Sequence, residues 1–193
     1  MPVELEAKIK VDSHEAVRAR LAELGGQCVA RLLELNLIFD RADRTLLASG
    51  CGLRIRVCVA ESGDAPPPTM TFKGPRQPGP LKKREEVEIS FDEADQGRTL
   101  LERLGFVEAV RFEKRRESWQ LEECQVELDE VPHLGGYVEI EGPDEHAVRQ
   151  VQELLGLAGE KVIRQSYVSL LIKYCQRHGL PTNAVLFPSG TPA

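Results

Sequence analysis

VELEAKIKV, residues 3–11, sets Val3, Leu5, Ala7, Ile9 and Val11 against Glu4, Glu6, Lys8 and Lys10. Successive side chains of an extended strand point to opposite faces, so a period of two predicts a strand with one apolar and one charged face. The charged face carries two acids and two bases. An antiparallel sheet with one wet face alternates in the same way, so the stretch gains meaning only from its companions.

Six further segments share the pattern. LRIRV (53–57) sets Arg54 and Arg56 against Leu53, Ile55 and Val57, and TMTFK (69–73) sets Thr69, Thr71 and Lys73 against Met70 and Phe72. REEVEISF (84–91) opposes Arg84, Glu86 and Glu88 to Val87, Ile89 and Phe91. EKRRESWQ (113–120) groups Lys114, Arg116 and Ser118, QVELDEV (125–131) groups Glu127 and Asp129, and YVEIEG (137–142) groups Glu139 and Glu141. LNLIFD (35–40) is a further, mostly apolar strand candidate.

Four helices are predicted from apolar spacing and end signals: Asp12 to Leu24, Asp92 or Asp95 to Leu104, Asp144 to Leu155, and Ser166 to Gly179. Glycine stops the first three at Gly25, Gly105 and Gly156. ESGDAPPP (61–68) and PRQPGP (75–80) read as hairpin connections, and Arg41 to Gly52 as a longer loop. A charged strand, a helix and an LxxLG stop occur from Val3 and again from Glu86, with LAELGG and LERLGF as paired helix ends. The chain is therefore read as two similar halves of one domain over residues 1–179, followed by a loosely ordered tail over 180–193.

Composition narrows the class. A net charge of −6 disfavours a nucleic-acid partner, and no apolar run approaches the roughly 20 residues that a membrane helix needs. Five cysteines with no CxxC pair suggest neither a disulfide framework nor a zinc site, so a reducing cytoplasm is expected.

Seven or eight antiparallel strands are enough to close a barrel, which removes exposed edges and turns the charged faces inward. The expected fold is thus α+β, an eight-stranded antiparallel β-barrel with a charged lumen, surrounded by helices. Arginines two residues apart aim both guanidinium forks the same way, which suits phosphates held bidentately. Paired carboxylates suit Mg²⁺ or Mn²⁺, hard cations that bridge protein to phosphate. Both kinds in one tunnel describe a metal–polyphosphate site, whose charges must be largely cross-paired when it is empty.

The ordered set ExExK (Glu4, Glu6, Lys8), RxR (Arg54, Arg56), TFKGP (Lys73), RxExE (Arg84, Glu86, Glu88), KxR (Lys114, Arg116), LDEV (Asp129) and ExE (Glu139, Glu141) resembles the CYTH superfamily of triphosphate tunnel metalloenzymes. FEKRRESW and SYVSLL look most like its class IV adenylate cyclase branch. The resemblance implies Glu6 and Glu139 as principal metal ligands and catalytic residues, with Glu4, Glu88, Asp129 and Glu141 in support. It implies Arg54, Arg56, Lys73, Arg84, Lys114 and Arg116 as the triphosphate grip. Lys8 would hold phosphate in a cyclase or orient water in a hydrolase. The pattern departs from the family in LNLIFD, where Asn36 and Ile38 stand in place of an acid and an aromatic that many relatives carry.

The implied activity is conversion of ATP to cyclic AMP and pyrophosphate. Two alternatives stand beside it: hydrolysis of tripolyphosphate or thiamine triphosphate, and non-catalytic nucleotide or polyphosphate binding. Partners are ATP or another polyphosphate, with homodimerisation left open and neither nucleic acid nor membrane expected. His14, His133, His146 and His178 are scattered, with His133 assigned to a turn, and Trp119 is expected to anchor packing.

Overall fold

The computed structural model describes residues 3–79 and 81–188, the side chains of Val3 and Glu4 excepted. The first half runs β1 (Val3–Lys10), α1 (Glu15–Glu23), β2 (Gln27–Asp40), α2 (Thr45–Ala48), β3 (Gly52–Ala60) and β4 (Thr69–Lys73). The second runs β5 (Lys82–Ser90), α3 (Ala94–Arg103), β6 (Val107–Leu121), β7 (Cys124–Val131) and β8 (Gly135–Glu141), followed by α4 (Glu145–Leu154), α5 (Tyr167–His178) and β9 (Ala184–Val185). The strands lie in the order β2-β3-β4-β5-β1-β8-β7-β6, and pairing of β2 with β6 closes an eight-stranded antiparallel barrel. Exchanging β1 with β5, β2 with β6, β3 with β7 and β4 with β8 leaves that order unchanged. The repeat read from LAELGG and LERLGF is thus an internal two-fold of the barrel.

Matching helix stops hold the two halves alike. After α1, Gly25 takes φ +78° and the amides of Gly25 and Gly26 bond the carbonyls of Ala22 and Leu21 at 3.1 and 2.8 Å. After α3, Gly105 takes φ +83° and the amides of Gly105 and Phe106 bond Glu102 and Leu101, both at 3.0 Å. A left-handed residue is easiest for glycine, and these paired bonds satisfy carbonyls that a helix end leaves open. The chain then reverses directly into β2 or β6.

Both long strands exceed their sequence-predicted cores. Residues 27–32 of β2 escape a period-two reading because Leu32 and Leu33 are adjacent and the register shifts between Cys28 and Ala30. A bulge of this kind adds a residue to one strand and breaks strict alternation. The 41–52 loop contains the one-turn helix α2, tied to β2 by Asp40, whose carboxylate accepts from the amides of Leu46 at 2.9 Å and Leu47 at 3.1 Å.

Outside the barrel, α1 and α4 cover a core of Leu21, Val126, Val138, Ile140, Val148 and Val151. Trp119 is buried in it, as an anchor should be. The helix α3 packs Leu101 on Leu37, Phe39, Leu53 and Ile55. Two expectations change. Phe72, Val87 and Ile89 on the outer faces of β4 and β5 remain exposed, because α3 lies over β2 and β3. The helix α5 is not laid on an outer face. It packs Tyr167, Leu171 and Cys175 against Phe112, Val131 and Tyr137, which share strand faces with Lys114, Asp129 and Glu139, and so stoppers one barrel end.

The tail read as loosely ordered is in part built in. The strand β9 pairs parallel with β6, Val185 is 3% exposed, and the Phe187 amide donates to Glu113 at 2.8 Å; residues 189–193 lie outside the described residues. No helix among the described residues is long and apolar enough to cross a membrane. Truncation after Gly179 is expected to lower the unfolding free energy by about 2 kcal/mol, the worth of burying a valine-sized side chain. Urea denaturation followed by Trp119 fluorescence measures it; an unchanged midpoint would return the tail to the loosely ordered reading.

Candidate functional site

The charged faces meet in a cavity of about 850 Å³ inside the barrel. Of the residues singled out from sequence, Glu6, Lys8, Arg54, Arg56, Lys73, Arg84, Glu88, Lys114, Arg116, Glu139 and Glu141 all line it. The Glu4 side chain lies outside the described residues. Asp129 departs from its expected place. It is fully buried behind the cavity wall, with one oxygen accepting from Arg116 Nε at 2.7 Å and the other from Arg116 Nη2 at 2.6 Å, Lys114 Nζ at 3.2 Å and the Tyr167 hydroxyl at 2.8 Å. With both oxygens so engaged it is an anchor for the cations rather than a free metal ligand.

Strand register explains the pairs. Glu6 lies opposite both Lys82 and Glu141, while Lys8 lies opposite Glu139. Accordingly Lys82 Nζ is 2.7 Å from Glu6, and Lys8 Nζ is 3.0 Å from Glu139 and 3.9 Å from Glu6. Lys8 also donates to the Gln165 carbonyl at 3.1 Å and lies 3.9 Å from the centre of the Tyr167 ring, a cation–π contact. Arg116 reaches Glu139 at 2.6 Å besides its fork on Asp129. Across the lumen, Arg54 donates to Thr71 at 3.0 Å, Thr71 donates to Glu88 at 2.6 Å, and Lys73 pairs with Glu86.

Glu34 was missed by sequence reading. Its carboxylate is 3.1 Å from Arg56 Nη1 and 3.2 Å from Lys114 Nζ. Burial alone would raise its pKa, but Lys114, Arg56 and Arg116 outweigh burial and hold it far below the usual carboxylate range. Glu139 is likewise held well below that range, Lys8 and Arg116 overcoming its burial. Burial, and then Arg56 beside it, push Arg54 down to about 10, while burial and Arg116 lower Lys114. Tyr167 moves well upward through burial and the nearby Asp129 and Glu139 carboxylates. It stays a hydroxyl donor.

A signal for Glu34 did exist. Glu34 is the ninth residue after Gly25 and Lys114 the ninth after Gly105, so the two occupy equivalent places in the halves. Lys82 was recoverable as the residue two before Arg84 on the same face. Tyr167 lies within SYVSLL, but no strand period could place it in the lumen, because it enters from a helix.

The geometry is an enclosed, cross-paired cationic wall, and the comparisons agree with it. Residues 2–167 match the CYTH domain model. The chain belongs to the CYTH family. A candidate adenylate cyclase of Methanocaldococcus jannaschii is 28% identical over 177 residues, spanning 87% of this chain and 98% of that protein. A Pyrococcus horikoshii structure superposes with a TM-score of 0.76 at 26% identity, covering 89% of this chain and 99% of the other. A candidate adenylyl cyclase from Hippeastrum, with a dominant triphosphatase activity, superposes at 0.67 with 20% identity, covering 92% and 97% of the two chains. The last of these speaks for the fold alone.

A carboxylate with a depressed folded pKa contributes stability that is complete above its unfolded pKa and lost as pH falls through the folded value. The melting temperature of the wild-type chain is therefore expected to fall as pH drops below 4.5, the ordinary glutamate value. Glu34→Gln leaves Lys114 and Arg56 under-neutralised and should cost about 3 kcal/mol at neutral pH. Its acid-side decline should also be shallower, which calorimetry across pH would reveal.

Proposed function

We propose that this chain binds the triphosphate of ATP along the tunnel and converts ATP to cyclic AMP and pyrophosphate with Mg²⁺ or Mn²⁺. The observation that carries the reading is the set of buried and half-buried basic side chains, drawn from separate barrel walls, around one cavity. Arg54, Arg56, Lys73, Lys114 and Arg116 take the phosphates in exchange for acids they now face, and Arg84 joins them from β5. Charged donors already fixed in place need no reorganisation as charge develops on the leaving pyrophosphate. Asp129 and Tyr167 keep Arg116, Lys114 and Lys8 in position during that exchange. The ribose 3′ oxygen attacks the α-phosphorus, and Lys8, next to Glu139 and Glu6, holds phosphate.

The donor set suits a hard divalent cation in kind. Glu6 and Glu141 face each other across β1 and β8, with Glu139 two residues on. Among the described residues no three acidic, histidine or cysteine side chains converge as a ready-made metal site. Lys82, Lys8 and Arg116 compensate Glu6 and Glu139 instead. When bound, the ion would be held by Glu6 and Glu139 with Glu141 in support, and would neutralise phosphoryl oxygens and acidify the attacking oxygen.

A second reading is hydrolysis of the terminal phosphate from tripolyphosphate or thiamine triphosphate, supported by the same lumen, whose basic side chains line the cavity without selecting the α- over the γ-phosphorus. The same grip would then hold the substrate while water attacks the γ-phosphorus. Incubation with ATP, tripolyphosphate and thiamine triphosphate in Mg²⁺ or Mn²⁺, with products resolved by chromatography, separates the two. Cyclic AMP with pyrophosphate, absent from a Glu6→Ala, Glu139→Ala double variant, supports the cyclase. Free phosphate without cyclic nucleotide moves the chain to the hydrolases, and no turnover of any of the three sinks both readings. Arg56→Ala is expected to lower kcat/KM by roughly 10²- to 10³-fold, the usual effect of losing one charge-stabilising donor.

A further inference from the structure

We propose that Asn36 is a neutral hydrogen-bond donor in the tunnel wall, its side-chain amide directed at an oxygen of the bound phosphate chain. The inference rests on the reading that the tunnel takes a polyphosphate, and it adds to that grip a residue that carries no charge.

Asn36 lines the cavity from β2, yet it is 0% exposed. Its Oδ1 accepts from Arg56 Nε at 3.1 Å. That bond decides which way the amide points. An arginine has only donors, so turning the amide over would set N–H against N–H. The Nδ2 group is therefore the end left over, and it has no hydrogen-bond partner among the described residues. A buried donor without an acceptor is destabilising. The ordinary exchange within this lumen, base against acid, does not reach it.

Two more donors share this condition. Arg54 Nε on β3 and Arg84 Nε on β5 are also buried without a hydrogen-bond partner among the described residues, and both side chains line the same cavity. Unmet donors on three strands call for a ligand that supplies acceptors and no competing donors. An ionised polyphosphate chain has that character.

The neutral amide does two jobs that a carboxylate in its place could not combine. An aspartate would hold Arg56 equally well, but it would present oxygen to phosphate oxygen and add a second buried acid beside Glu34, which already faces Arg56 at 3.1 Å. Asn36 steadies Arg56 through its oxygen and leaves its nitrogen for the ligand. Hydrogen bonds from a neutral donor to a charged group contribute about 1.5–3 kcal/mol, so loss of this one should weaken binding about tenfold or more.

The test is calorimetric titration of the full chain with tripolyphosphate, in EDTA and again in Mg²⁺, for wild type, Asn36→Ala and Asn36→Asp, with thermal melts confirming each variant folded. Asn36→Asp keeps the shape and the bond to Arg56, so it remains informative if the alanine variant does not fold. The expected pattern is weakening of about tenfold for alanine and more for aspartate. Weakening by alanine alone would make Asn36 a mere support for Arg56 and overturn the inference. Weakening by aspartate alone would reduce the effect to charge and overturn it equally. Wild-type chain that fails to bind in both conditions would overturn the polyphosphate reading itself, an outcome distinct from binding that ignores Asn36.

Discussion

Charges drawn away from bulk water into a closed barrel must neutralise one another. Arg116 stands at the centre of that constraint, forked onto Asp129 and touching Glu139, with Glu127 and Glu34 at 3.5 and 3.7 Å. Its guanidinium is held in the charged form well beyond its ordinary range, since these carboxylates outweigh its burial. An uncompensated ion here would cost several kcal/mol. The lumen can therefore be this charged because the strand register brings acids beside bases such as Lys8, Lys73, Lys82 and Lys114.

That register follows from the two-fold repeat. A helix ended by glycine in each half sends a long strand back across the barrel, and β2 and β6 meet as equivalents. Glu34 and Lys114 are directly paired in that register and salt-bridged at 3.2 Å, acid from one half and base from the other. The halves keep the same backbone while diverging in charge, and the divergence makes the lumen self-neutralising.

The same network is suited to exchange. Its bases and acids lie side by side, and carboxylates are the hard oxygen donors that a divalent cation prefers. Tyr167 and Asp129 stand outside the exchange, since Asp129 is sealed behind the wall and Tyr167 bonds it from α5. The helix that stoppers the barrel thus also braces the cations that face its contents.

Much of this was legible in the residues themselves. Period-two alternation assigns side chains to faces wherever the strand is regular, because the pleat leaves no other choice, and so Glu6, Lys8, Arg54, Arg56, Lys114, Arg116 and Glu139 were correctly turned toward one lumen. The glycine stops of α1 and α3 were equally plain. Glu34 alternates regularly with Leu33 and Leu35 but lies just before LNLIFD, the segment whose reading begins at Leu35, and so the residue was missed. Whether an inward carboxylate is open or sealed depends on what the opposite wall and the stopper helix bring to it, which is why Asp129 looked like Glu139 in sequence and is buried beneath Tyr167 in the fold. The chain alone determined which face each side chain takes, since that is a property of local backbone geometry. Which charges meet, and which donors such as Asn36 Nδ2 are left without an acceptor, was decided only by closing the barrel, because those contacts join residues from different strands and, at Tyr167, from a helix.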